Sequence, residues 1–308
     1  MNSRTKTQKY FWLFLYISLG FLVVFLFKYD FLTIHIHQID VLYLIISVIL
    51  LETGFLLNTL SWYAVCRRGS PGMSFKAALL SHGLSIMGKY IPGKFWGVLG
   101  RAAYASQDGA GMKKLTHLSM YAQVQSVWAG MGLGVAGLMI SGSMAHLLWG
   151  TSAAWLACTV GILLPLLNFT ERRSLIGKGL KELSVLHRLL PWPTIIQTTI
   201  LFLSFWIAWT IGFSFLVRAF FPDVGRPLDV ALAFPLATAI GIVAIVFPGG
   251  LGVREGLLIV YLSSIGMPLE AATTCSMVSR LWFLVGEVSL FGTAAFTRFR
   301  ESRAKRPS

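Results

Sequence analysis

The sequence predicts an all-α, polytopic membrane protein, with about six full spans and two re-entrant helical hairpins in an inverted-topology repeat. Three observations carry this reading. The 308 residues are 56% hydrophobic and only 12% charged, with a mean hydropathy of +0.71, which leaves too little polar surface to solvate a globular domain. Apolar runs of about the twenty residues needed to cross a bilayer recur along the chain. Two further apolar segments are broken at Pro-Gly and carry charge at the break: KYIPGKFWGVLGR at 89–101 and FPGGLGVREG at 247–256.

Each run has its own justification. The first, 11–27, follows Arg4, Lys6 and Lys9 in the manner of a signal peptide, but Lys28, Tyr29 and Asp30 stand where a small-residue cleavage site belongs, so it reads as an uncleaved span. The second covers 41–66, the first broken pair 75–106, and the next two runs 115–140 and 146–168. Between 174 and 190, Leu175, Ile176, Leu183, Leu186 and Leu190 alternate with Lys178, Lys181 and Arg188 at helical spacing, which predicts an amphipathic helix lying on the membrane surface. A run at 194–218, the second broken pair at 229–266 and a last run at 271–297 complete one integral membrane domain over 1–308.

The Lys and Arg residues orient these runs. Nineteen fall in segments on one side: the N-terminal tail, the loop after 66, the segment after the first broken pair (Arg101, Lys113, Lys114), the surface helix and its flank, and the C-terminal tail. Only Lys28, Arg218 and Arg226 fall opposite, which predicts a multi-pass protein of the inner (plasma) membrane with both termini cytoplasmic. The same distribution explains the net charge of +14 without nucleic acid as a partner and leaves anionic phospholipids at the cytoplasmic face as natural contacts. Residues 11–140 then read as span, span, broken pair, span, and 146–297 repeat the order from the other side. Two short full spans at each broken pair would satisfy the same charge count. Lys89 and Lys94 favour the re-entrant form, because complete crossing places both on the outer face.

Chemistry concentrates at the two breaks. Proline lacks the helix N–H, and each second arm therefore starts with unpaired N–H groups and the positive end of a helix dipole aimed toward mid-membrane. An anion suits such a place, and an arginine fork suits phosphate oxygens. The candidate substrate-binding residues are Lys89, Pro92, Gly93, Lys94 and Arg101 at the first break, with Pro248, Gly249, Gly250, Gly252, Arg254 and Glu255 at the second. Glu52, Arg280 and Glu287 form a candidate intramembrane charge network with them; a lone charge there costs about 2.5 to 3.5 kcal/mol, so pairing is expected, either as Arg254 or Arg280 neutralising Glu287 or Glu52 to hold helices together or with some of these residues contacting substrate or a coupling proton. No cofactor or metal is implied.

PGGLGVREG late in the chain and YIPGKFWGVLGR earlier, on an apolar scaffold of this length, resemble the membrane region of lysylphosphatidylglycerol synthases, also called flippase-like domain proteins. The likeness covers nearly the whole chain. Pro248, Gly249, Gly250, Gly252 and Glu255 match the late element and Pro92, Gly93 and Arg101 the earlier one. The resemblance implies translocation of a phospholipid or lipid-linked sugar phosphate in envelope biogenesis, or partnership with a glycosyltransferase in glycolipid or polysaccharide assembly. The 308 residues hold no soluble synthase domain, so aminoacyl transfer is not carried over.

A transporter and an integral membrane glycosyl- or acyltransferase are the competing classes. The enzyme reading rests on Asp30, His35, His37 and Asp40 in an outer loop, a set short of ligands for a metal. The transporter reading is favoured because the polar groups gather at the breaks. His82 and His117 read as hydrogen-bonded packing residues, and Cys66, Cys158 and Cys275, far apart, as packing thiols. Trp149, Trp192 and Trp282 read as interface anchors or packing, and Gly130, Gly132, Gly134 and Gly137 as a stripe of close helix contacts.

Overall fold

The computed structural model describes residues 39–90, 95–106, 111–142, 145–163, 190–244, 250 and 252–304. Among them the fold is all-helical: α1 (Val41–Gly69), α2 (Phe75–Ser85) continued by a 3-10 segment (Ile86–Tyr90), α3 (Phe95–Ala105), α4 (Met112–Ser141), α5 (Ala145–Leu163), α6 (Trp192–Phe220), α7 (Pro227–Val243), α8 (Val253–Ser264) and α9 (Leu269–Ala304). The apolar run at 11–27 and the surface helix expected over 174–190, apart from Leu190, lie outside the described residues.

Local chemistry sets the helix ends. Asp40 accepts a hydrogen bond from the Tyr43 N–H at 3.1 Å and Ser74 one from the Ala77 N–H at 3.1 Å, capping α1 and α2. Arg67 and Arg68 occupy the last turn of α1, where cations meet the negative end of the helix dipole. Among the described residues four helices, α1, α4, α6 and α9, are long and apolar enough to cross a membrane. The run expected at 146–168 is helical over Ala145–Leu163. The arms of the two broken pairs are shorter: α3 has 11 residues and α8 has 12, rises of about 17 and 18 Å.

The longest interface joins α1 to α6, where the Ser47 hydroxyl reaches the Gly212 carbonyl at 2.7 Å and the Trp209 indole N–H the Leu51 carbonyl at 3.1 Å. α7 is buried along nearly its whole length and seats on α4, whose glycines leave the room: a Cβ at Gly134 or Gly137 would stand 2.6 Å from the Cβ of Leu236 or Leu232. Gly130 faces Trp206 on α6 and Gly132 faces Trp155 on α5, so all four members of the predicted glycine stripe sit at helix contacts. On the other side of the bundle α2 seats on α9, with a Cβ at Gly83 2.6 Å from that of Ala294.

The exterior is apolar and the interior is mixed, the reverse of a water-soluble fold. Ile45, Ile49 and Leu56 on α1, Ile196, Ile200 and Ile207 on α6, and Val285 and Val288 on α9 are exposed, whereas Thr59, Ser81, Gln125, Thr198 and Ser276 are buried. The buried polar groups bond across helices: Gln125 donates to Thr199 at 2.6 Å and accepts from Thr198 at 3.1 Å, joining α4 to α6. At the centre an aromatic cluster joins α1, α6, α7 and α9, with Trp209 to Phe283 at 4.8 Å, Phe55 to Phe283 at 5.1 Å and Phe234 to Trp282 at 5.5 Å between ring centroids. Cys66 and Cys275 are free thiols buried in this core.

Candidate functional site

The second break is built by glycine. Gly250 has φ 72°, and a Cβ there would lie 2.8 Å from the Gly241 carbonyl oxygen, so the chain can fold back onto the end of α7 only without a side chain at this position. Gly252, at φ 83°, is the N-cap of α8. Glu255 then turns back: its Oε2 accepts from the Gly252 N–H at 2.8 Å and its Oε1 accepts from Arg280 Nη1 at 3.3 Å. The anion expected at the start of α8 is thus supplied in part by the chain itself. The Ser276 hydroxyl holds the Glu255 carbonyl at 3.2 Å, locking the first turn of α8 to α9.

Arg254, one residue earlier, is buried. Its guanidinium carbon lies 5.0 Å from the ring centroids of both Phe234 and Phe283, and Nη2 reaches the Ser279 carbonyl at 3.4 Å. Lys89, near the end of the 3-10 segment, also comes to Phe283: its ammonium lies 5.1 Å from that ring and pairs with Glu287, whose side chain is fully buried. The first break is also closely packed, since a Cβ at Gly88 would lie 2.9 Å from the Gly97 nitrogen.

Arg101 sits inside α3, buried, with its guanidinium 4.5 Å from the Trp62 ring centroid. Its Nε donates to the Ser119 hydroxyl at 3.1 Å and Nη2 to the Ser119 carbonyl at 3.2 Å. The charge count placed this residue in a cytoplasmic segment; the structure places it within the bundle instead, because α3 packs on α4 and the indole and hydroxyl give the cation partners there.

These groups surround one cavity of about 490 Å³. Lys89, Arg101, Arg254, Arg280 and Glu287 all line it, together with His82, whose Nδ1 shares a hydrogen bond of 2.9 Å with the Thr59 hydroxyl. Five of the fourteen residues singled out from the sequence therefore line one space, and Glu255 buttresses it through Arg280. Glu52 is not among the lining residues; it is half-buried on α1 and accepts a hydrogen bond from Ser289 on α9. Pro92, Gly93, Lys94, Pro248 and Gly249 lie outside the described residues, as do Asp30, His35 and His37 of the outer-loop set, whose fourth member, Asp40, caps α1.

Two ion pairs cross the cavity: Glu287 with Lys89, and Arg280 with Glu255. Seven residues put Arg280 and Glu287 on one face of α9, but also about 10 Å apart along it, so each meets a different broken pair. The aromatic platforms were missed. Phe283 lies three residues after Arg280 and four before Glu287, so helical periodicity alone puts it on the same face.

Long apolar helices, an apolar exterior and a cavity lined by cations between two broken helix pairs define a polytopic α-helical integral membrane protein. Within that class the chain belongs to the family of the lysylphosphatidylglycerol synthase TM region, whose family model matches residues 11–286. No curated protein and no solved structure matches the chain.

Proposed function

We propose that the protein is a flippase-like transporter that moves a phospholipid or a lipid-linked sugar phosphate between leaflets of the inner membrane during envelope biogenesis. The observation that carries this reading is the cavity of about 490 Å³ lined by Lys89, Arg101, Arg254 and Arg280. Four cations gathered inside an apolar bundle are costly unless they serve an anion, and phosphate is the anion that membrane lipids offer. Among the apolar lining residues, Met120, Val124 and Val243 are exposed, which suits a cavity whose apolar wall receives an acyl or polyprenyl tail beside the head group.

Re-entrant hairpins in an inverted repeat are the architecture that suits this role, with 11–140 and 146–297 as the halves. The second arms α3 and α8 rise about 17 and 18 Å against a hydrocarbon core of about 30 Å. The packing also has counterpart interfaces: α4 on α7 and α9 on α2, α3 on α4 and α8 on α9. Cytoplasmic termini, contact of the basic segments with anionic lipid, and association with a glycosyltransferase that makes or uses the cargo belong to the same proposal.

The test is leaflet exchange in liposomes carrying lipid with a chemically quenchable fluorescent tail label. The protein should accelerate exchange, and Arg254→Ala or Glu255→Ala should reduce it at least about tenfold with insertion and abundance unchanged. Exchange at the wild-type rate in both variants would remove the transport role of this cavity.

A further inference from the structure

The last span outruns the bundle. α9 has 36 residues and rises about 54 Å against a hydrocarbon core of about 30 Å, and beyond Ala294 none of its residues is buried. Helical geometry divides these last turns into two faces. Ala294, Arg298 and Glu301 share an arc of about 60° that meets the first broken pair. Ala294 stands against Gly83, the Glu301 carboxylate pairs with the Lys76 ammonium at 2.5 Å, and the Arg298 guanidinium lies 5.6 Å from the Tyr104 ring centroid on α3. Phe296, Phe299, Arg300 and Arg303 share the opposite arc, of about 100°. All four are exposed, and each arginine leans over a phenylalanine of its own helix, Arg300 at 5.9 Å from the Phe296 centroid and Arg303 at 4.5 Å from that of Phe299.

We infer that this outer face of α9 docks on anionic phospholipid in the head-group layer, with Arg300 and Arg303 taking lipid phosphates beside the rings of Phe296 and Phe299. The depth fits. Along the helix axis from Glu287, at the level of the cavity, Phe296 lies about 13 Å away and Arg303 about 24 Å, whereas half of a hydrocarbon core is about 15 Å. The face therefore runs from the edge of the apolar core into the phosphates, and a guanidinium beside a ring meets both media. Charge complementarity points the same way: Arg67 and Arg68 end α1 and Lys113 and Lys114 begin α4 at this end of the bundle, and together they attract an anionic surface. A soluble protein could reach Phe296 only past the head groups. Docked lipid then anchors the turns whose inner face holds both arms of the first broken pair.

This inference deepens the anionic-lipid contact proposed above and rests on α9 as a span, so equilibrium lipid association tests it apart from transport. The full chain is reconstituted in phosphatidylcholine vesicles carrying a trace of spin-labelled phosphatidylglycerol or spin-labelled phosphatidylcholine, and the immobilised fraction of each label is measured. The protein should hold the phosphatidylglycerol label about threefold more strongly, and salt at about 0.5 M should weaken that preference. Arg300→Gln with Arg303→Gln should remove about half of it or more. Arg298→Gln, on the inner face of the same turns, should leave it nearly unchanged, and Lys113→Gln with Lys114→Gln should lower it less than the α9 pair does. Equal association of the two labels overturns the inference, as does a preference that survives loss of Arg300 and Arg303 or that falls as far in either control. A preference that behaves as expected without leaflet exchange leaves the inference standing and removes the transport reading.

Discussion

The two broken helix pairs bring cations to one cavity by different routes. The first pair supplies them from both sides of its break: Lys89 near the end of the 3-10 segment, which engages Glu287, and Arg101 in α3. In the second the cation follows the break, as Arg254 in the first turn of α8, 5.0 Å from both the Phe234 and Phe283 ring centroids and near Ser279. α9 serves both: Glu287 meets the first pair and Arg280 the second, with Phe283 between them. Charge at a place, and not at an equivalent sequence position, is what the two pairs share. Lys89 pairs with a carboxylate and Arg254 packs against two aromatic rings, so their losses should have different signatures.

The largest effect is expected at the first pair. Glu287→Ala leaves the Lys89 ammonium without its carboxylate, and breaking a pair whose acid is fully buried should cost about 3 kcal/mol, at the low end for buried pairs because Lys89 is 34% exposed. Thermal unfolding of the purified protein should show that loss. The double substitution Lys89→Met with Glu287→Leu should recover most of it, since an apolar pair of similar volume needs no counter-charge. Arg254→Ala removes a cation that lies 5.0 Å from the Phe234 and Phe283 rings and reaches Ser279, and it should abolish exchange at a smaller loss of stability than Glu287→Ala. Equal destabilisation by Glu287→Ala and Arg254→Ala would erase the contrast between the two pairs.

That contrast marks where the sequence was legible. Proline and glycine punctuate helices through their own backbone chemistry, so both breaks could be read from Pro92-Gly93 and Pro248-Gly249-Gly250 without tertiary information. Charge inside an apolar run is also a local signal, and it led to Lys89, Arg101, Arg254, Arg280 and Glu287, all of which line the cavity. Partnership was not legible, because Lys89 and Glu287 are 198 residues apart and only the seating of α2 on α9 brings them together. Arg101 shows the same limit: an arginine after a break reads as a loop residue until Trp62 and Ser119, on other helices, are seen to receive it. Phe283 was hidden for a different reason, since one phenylalanine among 22 in the chain carries no signal until two cations flank it.

The backbones of the two breaks differ in the same sense as their charges. Gly250→Ala meets two penalties, a positive φ of 72° and a contact of 2.8 Å with the Gly241 carbonyl, and should cost about 2 to 3 kcal/mol. Gly88→Ala meets a close contact alone, 2.9 Å from the Gly97 nitrogen in helical backbone, and should cost about 1 to 2 kcal/mol. Denaturant titration of both variants ranks them, and the reverse order would show that the first break is the more tightly constructed. Phe283→Leu comes next. It keeps an apolar side chain but removes the ring face beside both Lys89 and Arg254, and should lower binding of an anionic lipid about threefold through the less ordered cations.

The smallest effect is expected at Glu52, and it sharpens the comparison by marking where the shared network ends. By sequence Glu52 ranks with Glu255 and Glu287 as an acid in an apolar run. In the fold it is half-buried on α1, bonds Ser289 and does not line the cavity. Glu52→Gln keeps a hydrogen-bonding side chain of the same size, so stability should change by less than about 0.5 kcal/mol and leaflet exchange by less than about twofold. Glu255→Gln, by contrast, removes the charge that faces Arg280 while leaving an amide oxygen able to accept from the Gly252 N–H, and it should slow exchange severalfold at nearly constant stability. Measured side by side in liposomes, the two glutamate-to-glutamine changes separate acids that serve the cavity from one that serves the packing of α1 on α9. A slowing by Glu52→Gln as large as that by Glu255→Gln would extend the network to α1, and the cation-carrying arms would then share it with a third element.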